Sequence, residues 1–412
     1  MNSEKIQIFF TVREEFFSSK NLTFEPDEII FSFGKNINKL AAGQKMARFQ
    51  QISGKRRVFV KLRHCGIISR AELARQCSLT RPAVSAIIDE LISEGMVREL
   101  GPGHSTGGKP PIMLEFLPES RCAIGIDLGG DLRIEGVLCD LGCGVVAGDS
   151  IAYENNLDSI IEAVSTLIRR LSIAAPGRVP SGVGIAVSAV VDGANEIIGS
   201  TTLDLSKKHF ARKLEKMTGL TVRLDRRPNA AALAEALFGA GHDSSQLLYI
   251  TSGRGVGAGI VLDGKIFRGH NGFAGEIGHL LLGDGRELEE AARPSSLPAA
   301  YRDVSGEAVD FETFMQRYFS GDPLARDLVM QNAEHLAYAA RAAANMFDPD
   351  AIVLGGDVLE FGDAHFEHFK EVCARFSEAH KLGRAPLILC SNFGRRGVAV
   401  GGAQLILDDL VF

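Results

Sequence analysis

Between Ser69 and Val97 apolar residues recur at helical spacing in two runs, with the polar break Ser78-Leu79-Thr80 between them. Ser69 followed by Glu72 has the form of a capping box, which predicts a first helix ending near Cys77. Thr80 is placed to cap a second helix, with Pro82 in its first turn, where a missing N–H costs little. Val84, Ile87, Ile88, Leu91 and Ile92 give that second helix one buried face, and Gly95 suits its stop. Its exposed start carries Thr80, Arg81 and Ser85, short of reach but able to meet base edges.

The pattern then changes period. Met96–Leu100 and Ile112–Leu117 read as two strands around the glycine-rich turn Gly101–Pro111, with His104 and Lys109 near the tip. Two helices followed by such a hairpin describe a winged helix-turn-helix, in which the second helix enters the major groove. Arg48–Arg63 reads as a leading helix with Val58, Phe59 and Leu62 inward. Lys55, Arg56, Arg57, Lys61 and Arg63 are then either free for DNA phosphates or simply a solvated face.

After Pro118 strands and helices alternate, which predicts an α/β body. Strands are expected at Cys122–Leu128, Leu132–Leu138, Val183–Val191, Leu247–Ile250, Ile260–Leu262, Ala351–Leu354 and Pro386–Cys390. Helices are expected at Asn156–Ile173, Asn229–Ala240, Asp322–Met346 and Ala364–His380. Residues 1–45 show Phe-rich pieces without clean periodicity. They read either as a small element packed on the winged helix or as a stretch preceding a natural start at Met46, and the second reading is preferred. The division expected is therefore 1–45 as an extension, 46–118 as the DNA-binding head and 122–412 as the body.

Charge sharpens that division. Residues 46–121 hold 12 Lys and Arg against 7 Asp and Glu, whereas 122–412 hold 27 against 38. A basic module on an acidic body fits DNA contact through one end. Seven scattered cysteines include no pair with zinc spacing, and Cys139 and Cys143 lack a nearby His. The start MNSEKIQIFF lacks the form of a signal peptide, and no apolar run reaches spanning length, so a cytoplasmic protein with no membrane association is expected.

Two glycine turns follow apolar strands, Asp127-Leu128-Gly129-Gly130-Asp131 and Thr251–Gly259. Alone they say little, since glycine at a strand end often serves packing. Gly269–His279 (GHNGFAGEIGH) and Ile352–Asp357 (IVLGGD), with Phe347-Asp348-Pro349 before it, add specificity. Together these stretches resemble the ROK family of repressors and sugar kinases. The winged helix with its Gly-Gly-Lys-Pro-Pro wing resembles the repressor branch, which includes xylose and N-acetylglucosamine repressors. The resemblance runs from about Arg48 to the C-terminus. It implies a two-lobed body of actin-like (ribonuclease H-like) ATPase fold with a sugar cleft between the lobes.

The chain departs from the family's kinases at two places. Their Glu-Asn-Asp-Ala-Asn run reads Asp225-Arg226-Arg227-Pro228-Asn229 here, so the general base falls on Arg227 and the sugar-holding Asn on Arg226. A guanidinium stays protonated and cannot take the hydroxyl proton. Asp131, where the family has Thr, sets a carboxylate beside any triphosphate. The expectation is a non-enzyme without nucleotide or other cofactor. Family members also carry a zinc loop after the Gly-Glu-Ile-Gly-His run. Here His279 is followed by LLLGDGRELEEAARP, without cysteine, which predicts no metal and a loop held by packing or hydrogen bonds.

The resemblance carries Glu276, His279 and Glu289 over as groups for a sugar's hydroxyls, beside Asn229. Arg226 and Arg227 are expected either to receive an anionic ligand such as a phosphosugar or sugar acid, or to pair with Glu276 or Glu289. The function expected is a transcriptional regulator of carbohydrate-metabolism genes, a repressor by preference. Two of its heads, in a homodimer or homotetramer, would sit on one palindromic operator. The candidate DNA contacts are Thr80, Arg81, Ser85, Lys109 and Arg57. The alternatives are a sugar kinase with an accessory DNA-binding domain, or a regulator whose signal is a protein partner.

Overall fold

The computed structural model describes residues 54–103, 110–129, 132–200, 202–378 and 385–412. The readings made for 1–45, Arg48, His104, Lys109 and Asp131 lie outside these residues. The head is built from α1 (Gly54–Cys65), β1 (Ile67–Ser69), α2 (Arg70–Gln76), α3 (Arg81–Ser93), β2 (Val97–Pro102) and β3 (Ile112–Phe116). Its three strands form one antiparallel sheet in the order β1-β3-β2. Both predicted caps are present. Ser69 Oγ accepts from Glu72 N at 3.2 Å and Thr80 Oγ1 from Ala83 N at 3.4 Å. Glu72 turns its carboxylate to Arg75 rather than back to the cap. Val84, Ile88 and Leu91 are buried as their spacing requires, and β1 is an addition that three residues are too few to announce.

The body opens with β4 (Cys122–Leu128), β5 (Arg133–Asp140) and β6 (Val145–Ala152), then α4 (Leu157–Ala174), β7 (Val183–Val187), β8 (Val190–Val191) and β9 (Ile197–Gly199). Next come α5 (Phe210–Thr218), β10 (Val222–Arg226), α6 (Arg227–Leu237), β11 (Gln246–Ser252), β12 (Val256–Leu262) and β13 (Lys265–Ile266). Four helices follow, α7 (Leu288–Ala292), α8 (Leu297–Ser305), α9 (Phe311–Ser320) and α10 (Pro323–Phe347). The chain ends with β14 (Ala351–Gly355), α11 (Asp363–Glu378), β15 (Leu387–Cys390) and α12 (Gly397–Val411).

Two five-stranded sheets repeat one plan, β10-β7-β4-β5-β6 and β13-β12-β11-β14-β15. In each, an antiparallel meander opens the sheet and later strands join in parallel on the far side. These are the two lobes of the actin-like body. Val183–Val191, read as one strand, breaks at Ser188. Val256–Gly259, read as part of a glycine turn, is strand, because it pairs along β11 and the turn proper closes with Gly253 N donating to Gly255 O at 3.0 Å.

Helices α6 and α12 lie back to back between the sheets, α6 against β11 and β12, α12 against β4 and β7. Their approach needs residues without side chains. A Cβ on Gly401 would stand 1.8 Å from Ala230 O, and one on Gly184 1.8 Å from Gly402 O. Gly401→Ala is therefore expected to lower unfolding free energy by at least about 2 kcal/mol, since backbone rather than a flexible side chain meets the new methyl. Urea unfolding of the purified variant checks this, and a midpoint equal to wild type would contradict it.

The leading helix corrects an expectation. Its basic residues do not form a solvated phosphate-binding face, because the helix is packed on both sides. Arg57 is 9% exposed, and its Nη1 donates to Cys77 O at 2.9 Å, at the C-terminus of α2, where a cation is favoured. Arg63 stacks on the Phe238 ring at 3.6 Å, and Lys55 pairs with Glu90 at 2.7 Å. The head's apolar core, with Phe59 and Leu62 at its centre, runs on into Ala399, Ala403, Ile406 and Leu407 of α12.

Candidate functional site

In the head, Arg81 is exposed in the first turn of α3, and Ser85 follows one turn on, half-buried. Arg70 holds this helix against the wing. Its guanidinium meets Asp89 at 2.8 Å and Glu99 of β2 at 2.9 Å, and donates to Ser85 O at 3.2 Å. Asp89, Glu90 and Glu94 make the far end of α3 acidic, so only its N-terminal turn is compatible with a phosphate backbone. Recognition helices in general meet base edges through their N-terminal residues, and that is the turn left clear of acids here.

The body's candidate site forms where β10 ends and α6 begins. Asp225 is 2% exposed. One of its oxygens accepts from Asn229 Nδ2 at 2.7 Å and from Arg226 N at 2.8 Å, and the other meets Arg268 Nη2 at 2.7 Å. Arg226 is buried, and its guanidinium donates to Ala274 O and to the Glu276 carboxylate. Burial pulls the Arg226 guanidinium below its usual value, with Glu276 and Asp225 opposing. Arg227 reaches across to the end of β4, where Nε and Nη2 bond the two oxygens of Asp127 at 2.7 and 2.9 Å. Such a planar two-point pair is the geometry a guanidinium favours.

The structure thus brings Arg226, Asn229 and Arg268 together around Asp225, links Arg226 onward to Glu276, and sets Arg227 on Asp127. Asn229 is fully buried, and its Oδ1 has no hydrogen-bond partner. Glu289 is spent on architecture, its Oε2 accepting from Val256 N at 2.9 Å beneath Gly255. His279 stays exposed at the rim, with Nδ1 3.1 Å from Glu287 and Nε2 3.9 Å from Glu276. Arg226 pairs with Glu276, while Arg227 takes Asp127 rather than Glu276 or Glu289. An entering anion would meet guanidiniums already neutralised, so the anionic-ligand expectation gives way to internal pairing. Sequence reasoning missed Arg268 and Glu287, although both flank the glycine-rich signature.

The loop after His279 closes by backbone bonds. Leu288 N donates to Leu280 O at 2.8 Å and Leu282 N to Arg286 O at 2.9 Å, with a bridge between Leu281 and Glu287. No cluster of three or more His, Cys, Asp or Glu with metal-holding geometry occurs among the described residues. No helix among them is long and apolar enough to cross a membrane.

Two acids at the cleft are tied to two consecutive arginines where a phosphotransferase would need a free base, on a two-lobed body that carries a winged helix. The two-lobed body and the winged helix both have parallels among known proteins. The model of the ROK family matches residues 123–409, and that of a winged helix-turn-helix DNA-binding domain matches 62–98. The chain belongs to the ROK family. It is 28% identical over 373 residues to the xylose repressor of Caldicellulosiruptor bescii, covering 84% of this chain and 93% of that protein. The ROK hexokinase from Thermus thermophilus shares 28% identity over 70% of this chain and 99% of its own, with a TM-score of 0.61. A ROK family transcriptional regulator, a homolog of the Escherichia coli MLC protein, shares the fold over 88% of this chain and 97% of its own. Its TM-score is 0.71 at 23% identity.

Arg227→Ala leaves Asp127, 9% exposed, without its two-point partner. The expected cost is about 1–3 kcal/mol, less than for a fully buried pair because Arg227 is partly solvated. Arg227→Ala/Asp127→Ala should recover most of it in a double-mutant cycle read by thermal unfolding.

Proposed function

We propose that this chain is a DNA-binding transcriptional repressor of carbohydrate-metabolism genes, with a body that senses a sugar and performs no phosphoryl transfer. The observation that carries this reading is the two-point pair between Arg227 and Asp127. At the position where the family's kinases keep the general base stands a cation that cannot accept a proton, and it is held there by a carboxylate. The winged helix on the same chain, and the likeness to a xylose repressor over most of both lengths, support the regulatory half of the reading. His279 and Glu276 at the cleft rim are the groups proposed to meet the sugar's hydroxyls, while the fully buried Asn229 braces Asp225 instead. A neutral sugar is favoured over a phosphosugar, because both guanidiniums are already paired.

In this reading two copies place their heads on successive turns of a palindromic operator, inside the cytoplasm. A sugar that prefers one lobe arrangement shifts the spacing of the heads. The test selects genomic fragments on the purified protein, with and without D-xylose, D-glucose or N-acetylglucosamine. One fragment family should be enriched and one sugar should release it. Sugar-dependent ATP consumption at enzymatic rates would overturn the non-catalytic part, and binding to no fragment at low salt would overturn the rest.

On the enriched fragment, Arg81→Ala is expected to weaken binding by about 1–3 kcal/mol while leaving affinity for unrelated DNA nearly unchanged. Gel-shift titration against both DNAs checks this. Equal losses on both would mean that Arg81 touches phosphate only.

A further inference from the structure

The guanidinium of Arg56, at the start of α1, is anchored on both lobes of the body at once. Its Nη2 donates to Gly264 O at 2.5 Å, in the turn between β12 and β13 of the second sheet. It also meets Asp408 Oδ1 at 2.7 Å and Oδ2 at 2.9 Å, on α12, which packs against the first sheet. The Phe412 ring lies 4.6 Å from its carbon, and the side chain is 4% exposed. A Cβ on Gly264 would stand 2.7 Å from Arg56 Nε, so the hairpin turn presses directly on the arginine.

From that turn the chain leads straight to the cleft. Two residues after β13, Arg268 bonds the buried Asp225, and the stretch that follows carries Ala274, Glu276 and His279. A cavity of about 340 Å³ adjoins the junction, lined by Arg56, Ile266, Arg268, Leu405, Asp408 and Phe412. The side chain that fastens the head and the side chain that fastens the cleft therefore share one cavity wall.

We propose that Arg56 is the positioning residue through which movement of the two lobes reaches the DNA-binding head. A ligand that draws the Gly269–His279 stretch inward pulls on β13 and the Gly264 turn, while Asp408 stays with α12. Nη2 of Arg56 must then follow one anchor or the other, and α1 turns with it. The contacts to Gly264 and Asp408 all run through the one nitrogen Nη2, whose two N–H groups face three acceptor oxygens, so the two anchors compete for it. Being bistable rather than elastic, a junction of this kind converts a small shift into a reoriented head. This inference rests on the sugar-responsive reading above.

The test uses full-length protein with Arg56→Gln, and with Arg56→Lys, which keeps a charge beside Asp408 should Arg56→Gln not fold. In both variants amide exchange at residues 263–266 and 54–60 should rise together. For whichever of D-xylose, D-glucose and N-acetylglucosamine stabilises wild type, the sugar's Kd should stay within about threefold of wild type. The sugar's effect on DNA affinity should instead fall from about tenfold or more to below about threefold. A purely structural role would leave that ratio in place. Unchanged exchange at 263–266, or a full sugar response in a folded variant, overturns the proposal. A wild-type chain that answers none of the three sugars counts against the effector reading. The clamp is then decided by exchange alone, where a joint rise supports it and no rise overturns it.

Discussion

The contact on which the molecule depends is the direct backbone approach of α6 to α12. A helix pair ordinarily keeps its axes apart by the width of its side chains. Here Gly401 lies under the carbonyl of Ala230, and Gly125 of β4 lies likewise under the carbonyl of Ala399 of α12. Because α6 belongs to the second sheet and α12 to the first, this one seam sets the position of both lobes. It also sets the entrance of α6 at the cleft, where Arg226 and Arg227 face Glu276 and Asp127. The far end of α12 carries Asp408 and Phe412 to the head. Signal, cleft and seam are three stations on one pair of helices.

The cleft resolves a conflict between charge and chemistry in favour of charge. Four acids converge there, Asp127, Asp225, Glu276 and Glu289, and a phosphotransferase would exploit such acids for bases and metal. In this chain three meet guanidiniums, and the fourth is spent on a backbone amide. Desolvating a carboxylate without a partner costs far more than the pair returns on the surface, so each arginine is as much a structural member as a substitution. Neutral hydroxyl recognition survives this arrangement better than anion recognition does.

Local chemistry was legible in the sequence and tertiary burial was not. The caps read at Ser69 and Thr80 are local, since each needs only an amide three residues on, and both are formed. The strand Cys122–Leu128 and the helix after Asp322 follow from short-range pattern alone. Helix α12 escaped notice because it is buried on nearly every face, which erases the amphipathic stripe that announces a surface helix. Strand β6 escaped for the opposite reason, being an exposed edge with Gly148 and Asp149 in its middle. Arg57 looked like any cation on a basic helix, and only the fold reveals Cys77 O beside it. The same holds for Arg227 and Asp127, one hundred residues apart. That Arg227 cannot act as a base could be read from one residue, but its attachment to Asp127 could not.

That attachment bears on how the lineage can drift. Where a guanidinium and a carboxylate satisfy each other in a half-dry cleft, either one changed alone leaves the other stranded. Loss of Arg226 alone would strand Glu276, and loss of Arg227 alone would strand Asp127, so each arginine is bound to its own acid. Paired in this way the corner resists single substitutions, and change comes more easily at the exposed rim around His279 than at the arginines beneath it.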